Sequence, residues 1–139
     1  MKVFLYFIGK PRDASLNAFA AEFVKRTTRF TPCEMREIDP ARFDLFAKHP
    51  TARKIFLDPA GKPLDSAQFA QIFAQHEQHG RDLVFLIGAH DGLTDDQRTR
   101  ADLLLSLSSM TFTHELARAI LAEQIYRAFT MLRNHPYSR

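Results

Sequence analysis

The sequence predicts an α/β fold built on a parallel sheet. Short apolar runs that are typical of buried strands alternate with segments in which apolar residues recur at three- and four-residue spacing, as in helices. Strands that alternate with helices favour a parallel sheet covered on both faces. A chain of 139 residues without a visible repeat fits one domain, residues 1–139, that buries about two thirds of the surface its unfolded form exposes.

Five segments carry the strand pattern. They are residues 3–8, 34–38, 54–57, 83–87 and 103–107, and the second of them has the weakest pattern. Residues 58–63 are rich in Pro, Gly and Asp and are expected to form a loop, whereas the state of residues 43–46 stays open. Ligands of open parallel sheets sit beyond the carboxyl ends of the strands, so the loops after Leu57, Ile87 and Leu107 are the informative ones.

Four segments carry the helix pattern. The first can be capped by Asp13 or Ser15, the second starts at Asp65 or Ser66 and ends at Gly80, the third covers residues 94–102, and the last starts near Thr113. Asn134 is a possible left-handed cap of the last helix, and the tail 135–139 is expected not to be helical.

One face of the last helix is apolar. Its members are Ala117, Ile120, Leu121, Ile125, Ala128, Phe129 and Leu132. This stripe is wide enough to bury against the sheet or against a second subunit. We expect a homodimer through the part of the helix that contains Ile120, Ile125 and Phe129, because a face this apolar should not be left to water.

Composition narrows the classes of protein. Cys33 is the single cysteine, which excludes an intrachain disulfide and a thiolate metal cluster within one chain. No apolar run approaches the ~20 residues that cross a bilayer, and the start of the chain leads directly into a strand-like segment, so the expected location is the cytoplasm. A net charge of +3 and a pI near 9.2 permit an anionic partner without demonstrating one.

Three other kinds of site fit the sequence poorly. The run Gly-Ala-His-Asp-Gly at 88–92 is not a GxGxxG fingerprint, which argues against a Rossmann dinucleotide site. His76 and His79 share a predicted helix face, but no third ligand accompanies them and they are expected to be surface residues, so no metal site is predicted. There is no Gly-x-Ser-x-Gly elbow or other spacing that identifies a hydrolytic triad.

The hydroxyl-rich loop and the last helix carry a family resemblance. The matching residues are 86–88, 106–108, 110–112, 114, 118, 123–124, 126–128 and 134–137, with further matches at 55–58, 61–63 and 80–82 and a faint one in the opening strand. They resemble the RlmH-type bacterial ribosomal RNA methyltransferases of the SPOUT superfamily. The match covers nearly the whole chain and is most specific at its C-terminal end.

This resemblance implies a fold and a cofactor. The fold is a parallel-sheet SPOUT-type α/β fold with a C-terminal trefoil knot, which periodicity alone would not suggest. The cofactor is S-adenosylmethionine, and its contacts map onto Leu57, Gly88, Leu107, Ser108, Ser109, Met110, Thr111 and Phe112. Apolar members of this set can form a slot for the adenine ring, and Gly88 can let the backbone approach closely. The alternative is that both glycines of the 88–92 run only permit a tight turn and that the hydroxyls satisfy local backbone groups.

The resemblance also implies a reaction and partners. The reaction is methyl transfer to N3 of a pseudouridine in 23S ribosomal RNA within the assembled ribosome, by a homodimer whose last helix and tail complete the partner's site. The residues expected to face RNA are Arg118, Arg127, His135, Tyr137 and Arg139. The alternative is that Arg118 forms an ion pair with Glu115, and Arg127 with Glu123, within the same helix. No general base is identified; Asp91, His135 and Tyr137 are the candidates.

Three departures from the family pattern matter. Ala89 stands where a second glycine is usual, Ser138 replaces a histidine after the tyrosine, and the region between Ile38 and Lys54 is short. These differences keep a rival interpretation open, in which the chain is a non-catalytic relative that binds the ribosome or S-adenosylmethionine. A flavodoxin-like nucleotide-binding regulator is a third class with the same kind of sheet but no knot.

Overall fold

A computed structural model describes residues 1–138. Its elements are β1 (Val3–Ile8), α1 (Ala14–Thr27), β2 (Cys33–Ile38), α2 (Leu45–Lys48), β3 (Arg53–Pro63), α3 (Ser66–His79), β4 (Leu83–Ile87), α4 (Asp95–Arg100), β5 (Leu103–Ser106), α5 (His114–Leu132) and a final 3-10 turn (Pro136–Ser138). The strands form one sheet in the order β2-β1-β4-β3-β5, and each neighbouring pair is parallel. The predicted α/β class with a parallel sheet is therefore confirmed.

The two central strands explain why the sheet is covered on both faces. In β4 the whole run Leu83–Ile87 is buried, and its alternate side chains belong to two separate apolar clusters. Val3 of β1 pairs with Leu83 on one side and with Cys33 on the other, so β1 lies inside the sheet. A continuous apolar run is what a strand between two helical layers requires.

The first face of the sheet is covered by α1, α3 and α5. Phe73 of α3 stacks against Phe85 of β4 and meets Phe129 of α5 edge to face, with ring centroids 6.0 and 5.1 Å apart. Ile125 and Phe129 are only 1% and 0% exposed. Most of the apolar stripe of α5 is thus core of its own chain, and the expected dimer interface through Ile125 and Phe129 is wrong. Ile120 is half-buried and lies outside both clusters.

The second face is covered by the short helices α2 and α4. The sequence left the state of residues 43–46 open, and the structure shows that α2 begins within this segment, at Leu45. The guanidinium of Arg100 in α4 lies 3.7 Å above the ring of Phe46 in α2. Below them, the hydroxyl of Tyr6 and Nε2 of His49 share a hydrogen bond of 2.7 Å. Burial raises the pKa of Tyr6 to about 12 and lowers the pKa of His49, because it disfavours the charged form of each group.

Helix ends follow the sequence signals. Asp13, Asp65, Thr94 and Thr113 are the N-caps, and each accepts a hydrogen bond from a backbone N–H in the first turn. Gly80 ends α3 in the left-handed conformation with φ of 65°. Asn134 adopts φ of 55° after α5, as its proposed role as a cap requires.

Four parts of the chain differ from expectation. Residues 58–63 extend β3 instead of forming a loop, because after an irregularity the chain pairs again with β5, Lys62 with Leu105 and Pro63 with Ser106. A Cβ on Gly61 would stand 2.6 Å from the carbonyl oxygen of Leu104, so this close pairing needs glycine. The tail also contains a 3-10 turn where no helix was expected, and α4 and β5 end earlier than predicted.

We expect Cys33 to react slowly with thiol reagents. Burial raises the pKa of its thiol to about 12. The reactive thiolate is then a very small fraction at pH 8 and grows only as the pH rises towards 12. Iodoacetamide labelling followed by mass spectrometry should leave most of the native protein unmodified at pH 8, whereas urea-unfolded protein should be labelled quickly. Equal labelling rates for the two forms would contradict this expectation.

Candidate functional site

The carboxyl ends of the strands gather three loops at one edge of the sheet. Gly9 follows β1, the run 88–92 follows β4, and residues 107–113 lead from β5 into α5. The irregular part of β3, between Leu57 and Lys62, lies beside the end of β5. Because the strands are parallel, this edge is where a ligand site is expected.

A small apolar slot brings together most of the predicted cofactor contacts. It is lined by Leu57, Asp58, Pro59, Leu105, Leu107, Ser108, Met110 and Phe112, and its volume is about 60 Å³. Five of the eight predicted contacts line it. Ser109 and Thr111 belong to the same loop and are exposed, whereas Gly88 belongs to a different loop and does not line the slot.

Two neighbouring cavities adjoin the apolar slot. Ligand pockets usually measure about 300–1,000 Å³, so the slot alone is too small for a whole cofactor. A cavity of about 280 Å³ shares Leu105 and Leu107 with the slot, and a cleft of about 420 Å³ shares Phe112 with it. Met110 and Phe112 are 73% and 37% exposed, which is unusual for large apolar side chains and leaves them available to a ligand.

The hydroxyls of this loop hold its own backbone. Ser106 Oγ lies 3.1 Å from the carbonyl oxygen of Pro59 and 2.9 Å from that of Ser108, and its single proton can serve either. Ser108 Oγ accepts from the backbone N–H of Met110 over 3.0 Å. These contacts agree with the alternative that the hydroxyls satisfy local backbone groups. Ser109 and Thr111 take no part in them.

Gly88 is required by its own chain. A Cβ at this position would stand 2.7 Å from the carbonyl carbon of Gly92, which has φ of 88° and donates its N–H to Ala89 over 2.8 Å. The space that a side chain at position 88 would need is filled by Gly92, so the lack of a side chain serves this turn, and the expected cofactor contact of the Gly88 backbone stays a prediction. Ala89 has no positive φ, so its replacement of the usual second glycine causes no backbone strain.

Asp58 and Arg98 form an ion pair at the slot that the sequence did not suggest. Arg98 Nε donates to Asp58 Oδ2 over 2.7 Å, and the N–H of Ala60 donates to the same carboxylate. Burial alone would raise the pKa of Asp58, but these two donors outweigh it and hold the pKa below its usual value. The pair ties the irregular part of β3 to α4. Forty residues separate the partners, and no spacing rule connects them.

Arg118 does not face RNA. Its side chain is fully buried, its guanidinium lies 3.4 Å above the ring of Phe7, and it donates a hydrogen bond to the side-chain oxygen of Asn17. Burial lowers the pKa of this guanidinium. The expectation of a phosphate contact is therefore wrong, because α5 turns this position towards the sheet. The alternative pair with Glu115 is not formed either: the Asn17 amide lies between them and donates to Glu115.

The remaining RNA candidates lie near the other end of α5. Arg127 pairs with Glu123 over 2.8 Å, as the alternative interpretation held, and the hydroxyl of Tyr137 donates to the same carboxylate over 2.6 Å. Tyr137 also packs edge to face on Tyr126, so its ring is engaged within its own chain. His135 is exposed and accepts from the N–H of Tyr137. Arg139 lies outside the described residues.

The length of α5 separates this group from the slot. The helix has 19 residues, which at 1.5 Å per residue spans about 28 Å. Its first residue stands at the carboxyl edge of the sheet beside Phe112, so His135 stands near the opposite edge, while the hydroxyl of Tyr137 reaches back to Glu123 at the middle of the helix. Asp91 is the one candidate base on the same edge as the slot. Within one described chain, the slot and the tail are thus two separate groups of residues.

Two further features concern metals and membranes. His76 is buried rather than exposed as expected, and its Nδ1 donates to the carbonyl of Ile72 over 2.7 Å. Within residues 1–138, no group of three His, Cys, Asp or Glu side chains is arranged to hold a metal ion.

No helix in the described part of the chain combines the length and the hydropathy needed to cross a bilayer.

Comparisons with known proteins identify the class of this fold and site. A family model described as "Predicted SPOUT methyltransferase" matches residues 1–138. The chain is 68% identical to a protein of Solibacter usitatus named ribosomal RNA large subunit methyltransferase H, over all of both chains. It is 36% identical to the protein of that name from Janthinobacterium sp. (strain Marseille), covering 100% of this chain and 99% of the relative. The chain therefore belongs to the SPOUT methyltransferase family.

Solved structures agree on the fold. A probable methylase family protein from Haemophilus influenzae superposes with a TM-score of 0.65 at 11% identity, over 99% of this chain and 70% of the other. The SpoU methyltransferase AviRb from Streptomyces viridochromogenes, solved with AdoMet, gives 0.55 at 12% identity, over 91% and 57%. Membership of this family decides against the flavodoxin-like alternative.

Proposed function

We propose that this protein transfers the methyl group of S-adenosylmethionine to N3 of a pseudouridine in 23S ribosomal RNA of the assembled ribosome. The observation that carries the proposal is the full-length identity of 68% to a protein named ribosomal RNA large subunit methyltransferase H. That relative matches over 139 residues and 100% of its own length, so it shares the short form of the chain. The short region 39–53 therefore gives the non-catalytic alternative no support. Because ribosomes are the proposed substrate, we propose that the protein acts in the cytoplasm.

The cofactor is proposed to bind at the apolar slot. Leu57, Leu107 and Phe112 supply apolar surface, and the exposed loop residues Ser109 and Thr111 keep free hydroxyls for polar contacts. Gly88 contributes only its backbone. When bound, the cofactor supplies a methyl group already activated by the sulfonium charge. The task left to the protein is to hold N3 in line with that methyl carbon and to exclude water.

A homodimer is proposed because the tail and the slot lie at opposite ends of α5. A tail that acts in the reaction must then reach the slot of a second chain. Leu116 is 37% exposed and Ile120 is half-buried four residues later, so both lie on one open face of α5. We propose that this face, and not the buried face with Ile125, meets the partner. The trefoil knot in the connection to α5 remains part of the same proposal and rests on family membership.

The candidates for the general base are Asp91, His135 and Tyr137, and the structure disfavours Tyr137. Burial, followed by the carboxylate of Glu123, raises the pKa of Tyr137 to about 12. Its phenol is therefore protonated near pH 7 and is a poor acceptor for the N3 proton. Asp91 from the same chain and His135 from the partner chain are the proposed candidates. Arg127, Tyr137 and Arg139 are proposed to position RNA, once the partner's slot is near.

Phe112→Ala tests the cofactor slot. Calorimetry on metal-free wild-type protein should detect S-adenosylmethionine binding, and this variant should bind about tenfold more weakly because it loses an aromatic contact. Phe19→Ala is the matched control, since Phe19 is also an exposed phenylalanine, at 47%, but does not line the slot. Absence of wild-type binding at millimolar ligand would refute the enzyme proposal. Unchanged affinity in the Phe112 variant alone would remove Phe112 from the site.

Ribosomes that lack the modification test the substrate. Wild-type protein with labelled cofactor should methylate assembled ribosomes or large subunits, and mass mapping should place the label on N3 of one pseudouridine. Protein-free RNA should accept much less, because a net charge of +3 gives little sequence-independent affinity for RNA. If neither substrate accepts a methyl group while the cofactor still binds, the non-catalytic alternative becomes the better description.

A further inference from the structure

A second cleft at the carboxyl edge of the sheet is lined by basic side chains. We name it the basic cleft; its residues are Ile8, Gly9, Lys10, Arg12, Ala89, His90 and His114, and its volume is about 380 Å³. It lies where the neighbouring strands β1 and β4 end. The chain leaves β1 towards β2 on one side and leaves β4 towards β5 on the other, and such a divergence opens a crevice that ligands use.

No carboxylate lines the basic cleft. Among the described residues, the side chains of Lys10, Arg12, His90 and His114 take part in no ion pair and no hydrogen bond as donors. Glu115 lines the neighbouring cleft with His90 and His114, but it is already engaged: it accepts from the backbone N–H groups of Arg12 and Asp13 and from the Asn17 amide. These hydrogen bonds, the first of them from Asp13, lower the pKa of Glu115. The two cations of the cleft are therefore free to bind an anion.

The basic cleft is continuous with the apolar slot. The cleft of about 420 Å³ described above shares His90 and His114 with the basic cleft and shares Phe112 with the slot. In a nucleotide, one sugar separates the base from its phosphate. A base held near Phe112 would therefore place a phosphate of the same strand towards the basic cleft.

We propose that the basic cleft binds a backbone phosphate of the RNA strand beside the target nucleotide, with Lys10 and Arg12 as the principal contacts. This inference rests on the proposed function and adds to it a substrate subsite on the slot's own chain. None of the RNA contacts expected from the sequence belongs to it. Its chemistry is sequence-independent, so it fixes the register of the strand and leaves the choice of base to other groups.

The test compares two double variants of the full-length protein. Lys10→Gln with Arg12→Gln removes the two cations of the cleft and keeps the backbone N–H of Arg12 that donates to Glu115. Lys25→Gln with Arg29→Gln removes two exposed cations at the other end of α1 and lowers the net charge equally. Equilibrium binding to purified large subunits is measured between about 50 and 200 mM salt, together with KM, kcat and S-adenosylmethionine affinity.

The expected results separate phosphate binding from net charge. The cleft variant should lower the slope of log affinity against log salt by about 1 to 2, since each lost phosphate contact contributes about 0.7–0.9. Its KM for large subunits should rise about tenfold or more, while kcat and cofactor affinity stay close to wild type. The control variant should change the slope and KM much less.

Four outcomes would overturn the inference. They are an unchanged slope and KM in the cleft variant, equal changes in both variants, a loss of cofactor affinity in the cleft variant, and no binding of wild-type protein to large subunits. The third would assign the cleft to the carboxylate of the cofactor, and the fourth would also refute the proposed function. Wild-type protein that binds subunits without methylating them would refute the proposed function alone, because the salt slope still decides the role of the cleft.

Discussion

Ile125→Asp is expected to prevent folding. The Ile125 side chain is 1% exposed and belongs to the apolar cluster between α5 and the sheet. A carboxylate there would be buried without a partner, at a cost of about 5 kcal/mol or more, which equals much of the stability of a domain of this size. The variant should be insoluble or should show no cooperative thermal unfolding by circular dichroism. It therefore cannot report on a dimer interface.

Ile120→Asp is the variant that tests the dimer interface. Ile120 is half-buried and outside both core clusters, so its replacement should leave the fold intact. If the open face of α5 meets a second chain, light scattering should find a dimer for wild type and a folded monomer for this variant. A folded, soluble Ile125→Asp protein would contradict the assignment of that face to the core. An undisturbed dimer in Ile120→Asp would move the interface elsewhere.

Arg118 variants should affect folding before they affect RNA binding. Arg118→Ala removes a fully buried side chain that covers Phe7 and bonds Asn17, and we expect a loss of about 3 kcal/mol in the free energy of unfolding. Arg118→Met should cost clearly less. Nε and Nη2 of this guanidinium are buried without a hydrogen-bond partner, so an apolar side chain of similar length loses little polar contact.

Chemical denaturation of both variants measures this difference, and binding to large subunits shows whether RNA is involved. The methionine variant should bind large subunits with the same salt dependence as wild type, since a buried arginine neutralises no phosphate. A reduced salt slope in a stably folded methionine variant would restore Arg118 as an RNA contact. Equal stability losses for methionine and alanine would show that the charge of Arg118, and not its volume, holds α1 to α5.

Much of the fold could be predicted because it depends on local patterns. The strands β1 and β4 are continuous apolar runs, and the caps Asp13, Thr113 and Gly80 act on residues within one turn of themselves. The hydroxyl-rich loop after β5 was visible in local features, but the family resemblance assigned Leu107, Ser108, Met110 and Phe112 to a cofactor site. The same resemblance added Leu57, which no spacing rule connects to that loop.

Other assignments failed because they depend on which face an element turns to its neighbours. Periodicity found the apolar stripe of α5 but could not tell a sheet from a second chain as its partner. Arg118 was expected to face RNA because the family resemblance places such groups on the last helix, yet Phe7 and Asn17 from two other elements enclose it. Residues 58–63 have the composition of a turn, but pairing with β5 extends them into a strand.

The sequence by itself determined the parallel α/β class and the order of its main elements, because both follow from the order of residues along short segments. Only the tertiary structure decided that Gly88 makes room for Gly92, that Asp58 pairs with Arg98, and that the basic cleft opens between β1 and β4. The physical reason is that each of these depends on contact between residues far apart in the chain. Such contacts are set by strand order and helix packing.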